Sequence, residues 1–152
     1  MIELSRFVII FFLVCLNYIF LFTGIWSWTP DLFIIFVMFL SVQKKHLPNT
    51  YLFITYGFVI DLFFSNQTLP YILSFFLIGA YLNLSNIKWT QRSLLEQLIM
   101  IILVSLFLNI LLIFTNDYYL DIQSRLIFNP LLNASIWILI FMTQRHKWLK
   151  NF

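Results

Sequence analysis

One carboxylate stands where membrane hydrocarbon is expected. Asp61 lies inside the apolar run 51–64. An ionised carboxylate at the centre of a membrane helix costs roughly 2.5–3.5 kcal/mol on insertion scales, so a chain that keeps one usually gives it a partner or a function. Gly57 comes four residues earlier and therefore shares a helical face with Asp61. Three roles are open for Asp61: structural pairing, contact with a partner protein, and transfer of a proton or an ion.

The remaining titratable residues predict no catalytic or metal site. Glu96 could act as a transport carboxylate, but the spacing from Ser93 to Glu96 is that of a capping box, which explains the acid more simply. His46 and His146 each lie beside basic residues, where solvated side chains are expected, and no second ligand has a suitable spacing. The sequence also contains no nucleophile–base pair or phosphate loop. We therefore expect no enzymatic activity, no metal and no cofactor; catalysis by Asp61 is the last-ranked alternative.

Several amide side chains also fall within apolar segments. Amides in lipid commonly form hydrogen bonds between helices, each worth about 0.6–2 kcal/mol. A polar substrate cavity is the alternative, although no charged residue lies near the expected midplane, where transporter sites are usually found. The residues concerned are Asn17, Asn83, Asn109 and Asn133.

The composition indicates a single polytopic membrane domain over residues 1–152. The chain is 62% hydrophobic and 10% charged, with 19 phenylalanines. A soluble domain of this size has too little interior to bury that much apolar surface. The excess of basic residues is therefore not a nucleic-acid signal and needs a topological explanation. Cys15 is the one cysteine of the sequence, so no disulfide can form within one chain.

Six apolar segments predict an all-α integral membrane protein with six transmembrane helices. They lie at about 7–25, 31–43, 50–64, 69–87, 94–116 and 126–143. The first is expected to be an uncleaved span rather than a signal peptide, because no small-x-small site follows it. The second and third are short for a hydrocarbon core of ~30 Å. A re-entrant hairpin over residues 31–64 is the alternative to two full spans.

The distribution of basic residues predicts that both ends of the chain are cytoplasmic. With alternating spans, eight of the nine Lys and Arg residues then lie inside, as the positive-inside rule requires. Arg125 is left outside, where it is a hypothetical partner for Asp61. Three other acids compete for it: Asp31, Asp117 and Asp121. Two tryptophans at each interface complete an aromatic belt. These are Trp26 and Trp28 at the outer interface and Trp89 and Trp148 at the inner one.

Two proline-containing sequences predict helix starts. In Thr29-Pro30-Asp31, threonine can cap the second helix, proline suits its first turn, and the acid lies at the positive end of the helix dipole. Asn129-Pro130 suggests a capped start of the sixth helix, or a restart within it. All predicted loops are short, which leaves the helix faces as the main surface for a partner.

Six short motifs follow one another along the chain. They are Pro30-Asp31-Leu32, Tyr56-Gly57-Phe58-Val59-Ile60-Asp61-Leu62, Thr68-Leu69, Ala80-Tyr81-Leu82, Asn133-Ala134-Ser135-Ile136-Trp137 and Arg145-His146-Lys147. Their order and spacing resemble MreD, a family of small polytopic rod shape-determining membrane proteins of bacteria. The second motif is similar to the glycine-x3-aspartate-leucine signature of that family. The length, the topology and the short loops are also similar over nearly the whole chain.

The resemblance implies a fold like the substrate-binding component of energy-coupling-factor transporters, without evident transport activity. It implies a non-enzymatic scaffold in the bacterial inner membrane that maintains rod shape through a complex with MreC, a single-span protein with a large periplasmic domain. MreB filaments, the RodA glycosyltransferase and a class B penicillin-binding protein are the implied indirect partners. The candidate structural or partner-binding residues are Asp61, Gly57, Pro30, Asp31, Asn133, Trp137 and Arg125. We expect Gly57 to permit a close helix approach and Asp61 to lock the third span.

Because the implied fold is shared with transporters, a solute-binding membrane component of an energy-coupling-factor-type transporter is the main alternative. Such components usually carry a small-x3-small stripe on their first helix, where they dock the energising partner. The first span here, over residues 7–16, contains no such stripe. The scaffold is therefore the preferred hypothesis.

Overall fold

The structure is a computed structural model that describes residues 2–43, 50–64, 69–84, 88–115 and 122–150. All of its described elements are helical. The α-helices are α1 (Ile2–Phe22), α2 (Leu32–Gln43), α3 (Thr50–Phe64), α4 (Pro70–Leu84), α5 (Leu94–Phe114) and α6 (Ile122–Lys150). Short 3-10 turns at Trp26–Trp28 and Trp89–Gln91 precede α2 and α5. Each predicted apolar segment coincides with one α-helix.

Three helical segments are long and apolar enough to cross a membrane, which indicates a membrane protein. They are Leu4–Phe22, Leu94–Phe114 and Ser124–Gln144. The other apolar helices, α2, α3 and α4, have 12, 15 and 15 residues. At 1.5 Å per residue they span roughly 18–23 Å, which is less than a full hydrocarbon core. The connection that would decide between a hairpin and two spans, 44–49, lies outside the described residues.

The helices pack most extensively in two pairs, α3 with α4 and α5 with α6. Glycine makes the first approach possible. A Cβ atom on Gly57 would lie 2.7 Å from the carbonyl oxygen of Tyr71 and 2.8 Å from the Cα of Ile72. On the facing helix, Gly79 leaves room for the ring of Phe53, since a Cβ there would lie 3.0 Å from that side chain. The close helix approach expected at Gly57 is therefore present, and it is between α3 and α4 of the same chain.

The sixth helix differs from its prediction. It begins at Ile122 and runs without a break to Lys150, with Pro130 inside it. The start or restart predicted at Asn129-Pro130 is wrong, because the Asn129 side chain forms hydrogen bonds with neighbouring segments and does not cap a new helix. Proline removes one backbone hydrogen bond from a helix interior. The packing of α6 against α5 and against the Trp26–Trp28 turn holds the helix together across this position.

The N-cap of α2 also differs from its prediction. Asp31 Oδ1 accepts the backbone N–H groups of Phe33 and Ile34, both at 3.1 Å, so Asp31 is the capping residue. The hydroxyl of Thr29 instead donates to the carbonyl of Trp26 at 2.9 Å. Asp31 is the better cap because its carboxylate also carries the negative charge that the N-terminal end of a helix favours. The capping box predicted at Ser93 and Glu96 is confirmed at the start of α5.

Candidate functional site

The inward face of α6 carries a stripe of polar and aromatic residues. Arg125, Asn129, Asn133 and Trp137 are spaced by four positions and so lie on one helical face. All four are buried, with at most 2% of each exposed. Burial of polar groups in a membrane interior is expensive unless each one finds a hydrogen-bonding partner. The partners of these side chains therefore decide what the stripe does.

A matching polar stripe on α5 provides some of these partners. Asn109 donates to the side-chain oxygen of Asn129 at 3.3 Å. One turn further into the bundle, Asn133 donates to the hydroxyl of Ser105 at 2.8 Å. The two antiparallel helices are thus joined by a ladder of hydrogen bonds between side chains, which fixes their register.

The guanidinium group of Arg125 is held on four sides. Its Nε donates to Asn109 Oδ1 at 3.1 Å, and its Nη1 donates to the carbonyl of Trp26 at 2.7 Å. Nη2 lies 3.3 Å from Asp31 Oδ2 and forms an ion pair with it. The guanidinium carbon also lies 3.4 Å from the centroid of the Trp26 ring. Arginine suits such a site because its planar group can form several hydrogen bonds and stack on an aromatic face at once.

Asp31 connects three segments of the chain, which are α2, α4 and α6. One oxygen caps α2, and the other accepts the hydroxyl of Tyr71 at 3.1 Å in addition to the Arg125 contact. The backbone N–H of Asp31 donates to Asn133 Oδ1 at 2.7 Å. Asn129 completes the attachment by donating to the carbonyl of Thr29 at 3.0 Å. The segment that leads into α2 is thereby fastened to α4 and α6.

Asp61 caps a helix other than its own. Its two oxygens accept the backbone N–H groups of Tyr71 and Ile72, each at 3.0 Å. Helix α4 begins at Pro70, which has no N–H, and the preceding residue is Leu69, which has no capping oxygen. The carboxylate of α3 supplies the missing cap. Gly57, one turn earlier, lets the backbone of α4 come close enough for these bonds.

The pairing hypothesis for Arg125 is resolved in favour of Asp31, one of its competing acids. The competing residues Asp117 and Asp121 lie outside the described residues. Asp31 forms the ion pair with Arg125 because α2 and α6 begin side by side. The Asp61 side chain instead bonds the N-terminal end of α4. Tyr71 links the two acids, since its N–H bonds Asp61 and its hydroxyl bonds Asp31.

Two of the four tryptophans predicted to form an interfacial belt face the interior of the bundle. Trp26 and Trp89 are buried, with 1% and 3% exposed, so neither side chain contacts the surroundings of the protein as a belt residue would. Trp26 stacks on Arg125, and Trp89 packs 6.0 Å from the ring of Trp137. Trp28 is exposed and stacks on Phe128, as an interfacial residue can. The side chain of Trp148 lies outside the described residues.

The hydrogen-bonded residues described so far lie at or near one end of each of the six described α-helices. Trp26 follows α1, Asp31 precedes α2, and Asp61 lies in the last turn of α3. Tyr71 opens α4, while Asn109 and Arg125 lie near the end of α5 and the start of α6. We call this group the polar cluster. Its members are Trp26, Asp31, Asp61, Tyr71, Ser105, Asn109, Arg125, Asn129 and Asn133.

A second set of bonds joins helices at the opposite end. The indole N–H of Trp137 donates to Gln97 Oε1 at 2.8 Å, and the amide of Gln97 donates to the carbonyl of Trp89 at 3.0 Å. Arg92 donates to the hydroxyl of Tyr81. The side chain of Asn83 on α4 donates to the hydroxyl of Thr50 at the start of α3. Asn83, Asn109 and Asn133 are thus bonded between helices, whereas Asn17 donates to the carbonyl of Leu13 in its own helix.

The sequence-derived candidates divide into a buried group and a flanking residue. Six are buried: Gly57, Asp61 and Asp31, together with Arg125, Asn133 and Trp137. Pro30 is half-buried beside the cluster. Sequence reasoning missed Tyr71, Asn129, Ser105 and Gln97 as members of these networks. The spacing of polar residues by multiples of four on α5 and α6 indicates Gln97, Ser105 and Asn129. Nothing in the sequence indicates Tyr71.

The geometry of the polar cluster suits structural pairing. The described residues contain no group of three or more His, Cys, Asp or Glu side chains that could hold a metal ion. Both carboxylates accept hydrogen bonds from backbone N–H groups at helix N-termini, Asp31 at the start of α2 and Asp61 at the start of α4. Among the described residues, every buried side-chain nitrogen and oxygen of Asp31, Arg125, Asn109, Asn129 and Asn133 has a hydrogen-bond partner.

Comparisons with known proteins do not assign this chain to a family. No protein-family model, curated protein or solved structure matches it. The functional assignment therefore rests on the ordered motifs and on what the polar cluster does with them.

Proposed function

We propose that the chain is a non-enzymatic, MreD-like scaffold of the bacterial cell-wall elongation machinery, which maintains rod shape in a complex with MreC. One observation carries the proposal. Residues of three motifs, Pro30-Asp31-Leu32, the Gly57–Asp61 pair and Asn133, come together at one buried cluster. The motifs that suggest the family thus have a shared physical purpose, which is to fix how the helices meet.

The proposed arrangement is six membrane spans with both termini in the cytoplasm, in a fold like that of the substrate-binding component of energy-coupling-factor transporters. The polar cluster supports the alternation, because it joins the end of each odd-numbered helix to the start of each even-numbered one. In this orientation the cluster lies toward the outer side of the inner membrane. The short helices α2 and α4 begin in the cluster, where capped N-termini reduce the cost of ending a helix below the membrane surface.

A scaffold requires a rigid body and an outward surface that other helices can contact. The ion pair and the cap from Asp61 to α4 provide rigidity, because each joins elements far apart in the sequence. The outward surface is apolar. Exposed large hydrophobic residues occur on α1 and α6, including Phe12 and Leu139. Lateral association with a single-span partner such as MreC would use these faces, and RodA, the penicillin-binding protein and MreB would be reached through the complex.

The solute-binding alternative receives less support. A site for a polar solute needs side chains that converge on a cavity. The polar side chains of the cluster bond one another and the backbone, and a groove of about 560 Å³ between α4 and α5 is lined by apolar residues and one tyrosine. The buried polar side chains of the cluster therefore hold the helices together and do not line a cavity for a solute.

Depletion of the protein in rod-shaped cells that depend on this chain tests the proposal. The expected result is rounded, widened cells, with lateral wall synthesis dispersed in fluorescent D-amino-acid labelling. A plasmid copy of the chain, or of the Ser93→Ala variant at the opposite end from the cluster, should restore the rods. Unchanged cell shape and wall labelling after depletion would contradict the scaffold. A vitamin-like ligand retained by the purified protein would favour the transporter component.

A further inference from the structure

A long apolar groove runs between α4 and α5 on the outside of the helix bundle. Its volume is about 560 Å³. Leu77 and Tyr81 line it from α4, and Met100, Leu103, Phe107 and Ile110 are among the α5 residues that line it. None of these side chains belongs to the polar cluster. Their chemistry fits a hydrocarbon occupant.

The groove has the length and the lining that an acyl chain requires. From Met100 to Ile110 it extends over ten residues of α5, or about 15 Å. Its lining is apolar apart from Tyr81, so a hydrocarbon chain can lie in it without burying polar groups.

One end of the groove carries positive charge. Tyr81 lies at that end, and the guanidinium carbon of Arg92 lies 4.3 Å from the centroid of its ring. Arg92 also donates to the Tyr81 hydroxyl. Lys88, in the same connection between α4 and α5, is exposed.

We propose that this groove binds an anionic phospholipid, with one acyl chain between α4 and α5 and the headgroup phosphate beside the exposed Lys88. The groove supplies the apolar contact, and the positive charge of Lys88, together with that of the largely buried Arg92, distinguishes an anionic headgroup from a neutral one. The inference does not depend on the proposed scaffold, because it uses the outer surface of α4 and α5 only.

Lipid titration of the purified full-length protein tests the site. Phosphatidylglycerol and phosphatidylcholine with identical acyl chains are added to the protein in detergent, and bound lipid is counted by native mass spectrometry. We expect tighter binding of phosphatidylglycerol. Lys88→Gln should weaken its binding about fivefold, the effect expected for one cation near an anionic lipid. Arg6→Gln removes the same charge from α1, away from the groove, and should leave the binding unchanged.

A second variant tests the acyl-chain contact. Leu103 is 57% exposed, so tryptophan at this position fills the groove without entering the core. Leu103→Trp should remove the bound phosphatidylglycerol while thermal unfolding of the lipid-free protein stays unchanged. Equal binding of the two lipids, or binding that survives Leu103→Trp, would overturn the proposal. So would a photo-cross-linker at Leu103 that captures a polypeptide in native membranes instead of lipid.

Discussion

Asp31 and Arg125 are 94 positions apart and form an ion pair of 3.3 Å in the interior of the helix bundle. Their side chains are 1% and 2% exposed. A buried pair of this kind brings a large desolvation cost, which its surrounding hydrogen bonds must offset. Here those bonds come from the backbone of α2, from Tyr71 and from Asn109. The pair therefore joins the starts of α2 and α6 and orients the cluster around them.

Removing both sides of this pair should cost less than the sum of the two single substitutions. Asp31→Asn or Arg125→Gln alone leaves a buried charge without its counter-charge and should cost about 3–5 kcal/mol. In the double variant the two losses should overlap, with a coupling free energy of about 0.5–3 kcal/mol. The free energy of unfolding is measured by SDS titration in mixed micelles.

The control for this cycle combines Asp31→Asn with Ser93→Ala, which removes the α5 cap at the opposite end. Sites without shared partners should be additive within about 0.5 kcal/mol. Additivity of the Asp31 and Arg125 variants, to the same degree as the control, would show that the ion pair makes no net contribution.

The hydroxyl of Tyr71 should contribute more than an ordinary tyrosine hydroxyl. Tyr71→Phe removes the bond to the Asp31 carboxylate and should lower the free energy of unfolding by about 1.5–3 kcal/mol, because hydrogen bonds to charged groups are the stronger ones. Tyr18→Phe is the matched control, since that hydroxyl is exposed and donates to a neutral carbonyl of Phe63. Equal losses from the two substitutions would remove Tyr71 from the cluster as an energetic link.

The cap that Asp61 provides should depend on both of its oxygens. Asp61→Ala leaves two N–H groups of α4 unbonded in the interior and should cost about 2 kcal/mol, the upper end of measured N-cap losses. Asp61→Asn retains one acceptor oxygen and should lose less. Ser93→Ala removes an exposed cap for comparison and should fall near the lower end. If Asp61→Asn were as destabilising as Asp61→Ala, the stabilisation by Asp61 would come from its charge and not from the geometry of the cap.

Gly57 should tolerate no side chain. A Cβ at this position meets the backbone of α4 at 2.7–2.8 Å, so Gly57→Ala must separate α3 from α4. Overpacking of this kind costs about 1–3 kcal/mol, and it should also weaken the Asp61 cap. Thr55→Ala, at an exposed position of the same helix, should change stability little. The comparison is made by SDS titration, and a neutral Gly57→Ala would contradict the close approach of the two helices.

The apolar runs made the helices predictable, because a membrane requires long segments without charge and these are visible in any sequence. Gly57 and Asp61 were recognisable for the same reason, as exceptions within such a run. The groups that bond Asp61 were not recognisable. They are backbone N–H groups of α4, which every residue except proline carries, and only the unusual Leu69-Pro70 start hints that this helix lacks its own cap.

Trp26 shows why a position near the end of a span does not settle a residue's environment. The side chain of a tryptophan at such a position can face the interface or the interior of the bundle, and the presence of an interior residue that it can contact decides between the two. The partner is Arg125, which lies 99 positions away, and the sequence does not display that proximity. The stripe of Arg125, Asn129 and Asn133 was readable from its spacing alone, but the residues it would face were fixed only by the packing of α5 and α6.

Site-specific photo-cross-linking in native membranes tests the scaffold most directly. The cross-linker is placed at Phe12 and Leu139, which are 60% and 63% exposed on α1 and α6, and at the fully buried Phe75 as a control. We predict that at least one exposed position captures a single-span, MreC-like protein with a large periplasmic domain, and that Phe75 captures no other protein. Capture of an energising transporter module from the exposed positions, without an MreC-like protein, would contradict the account.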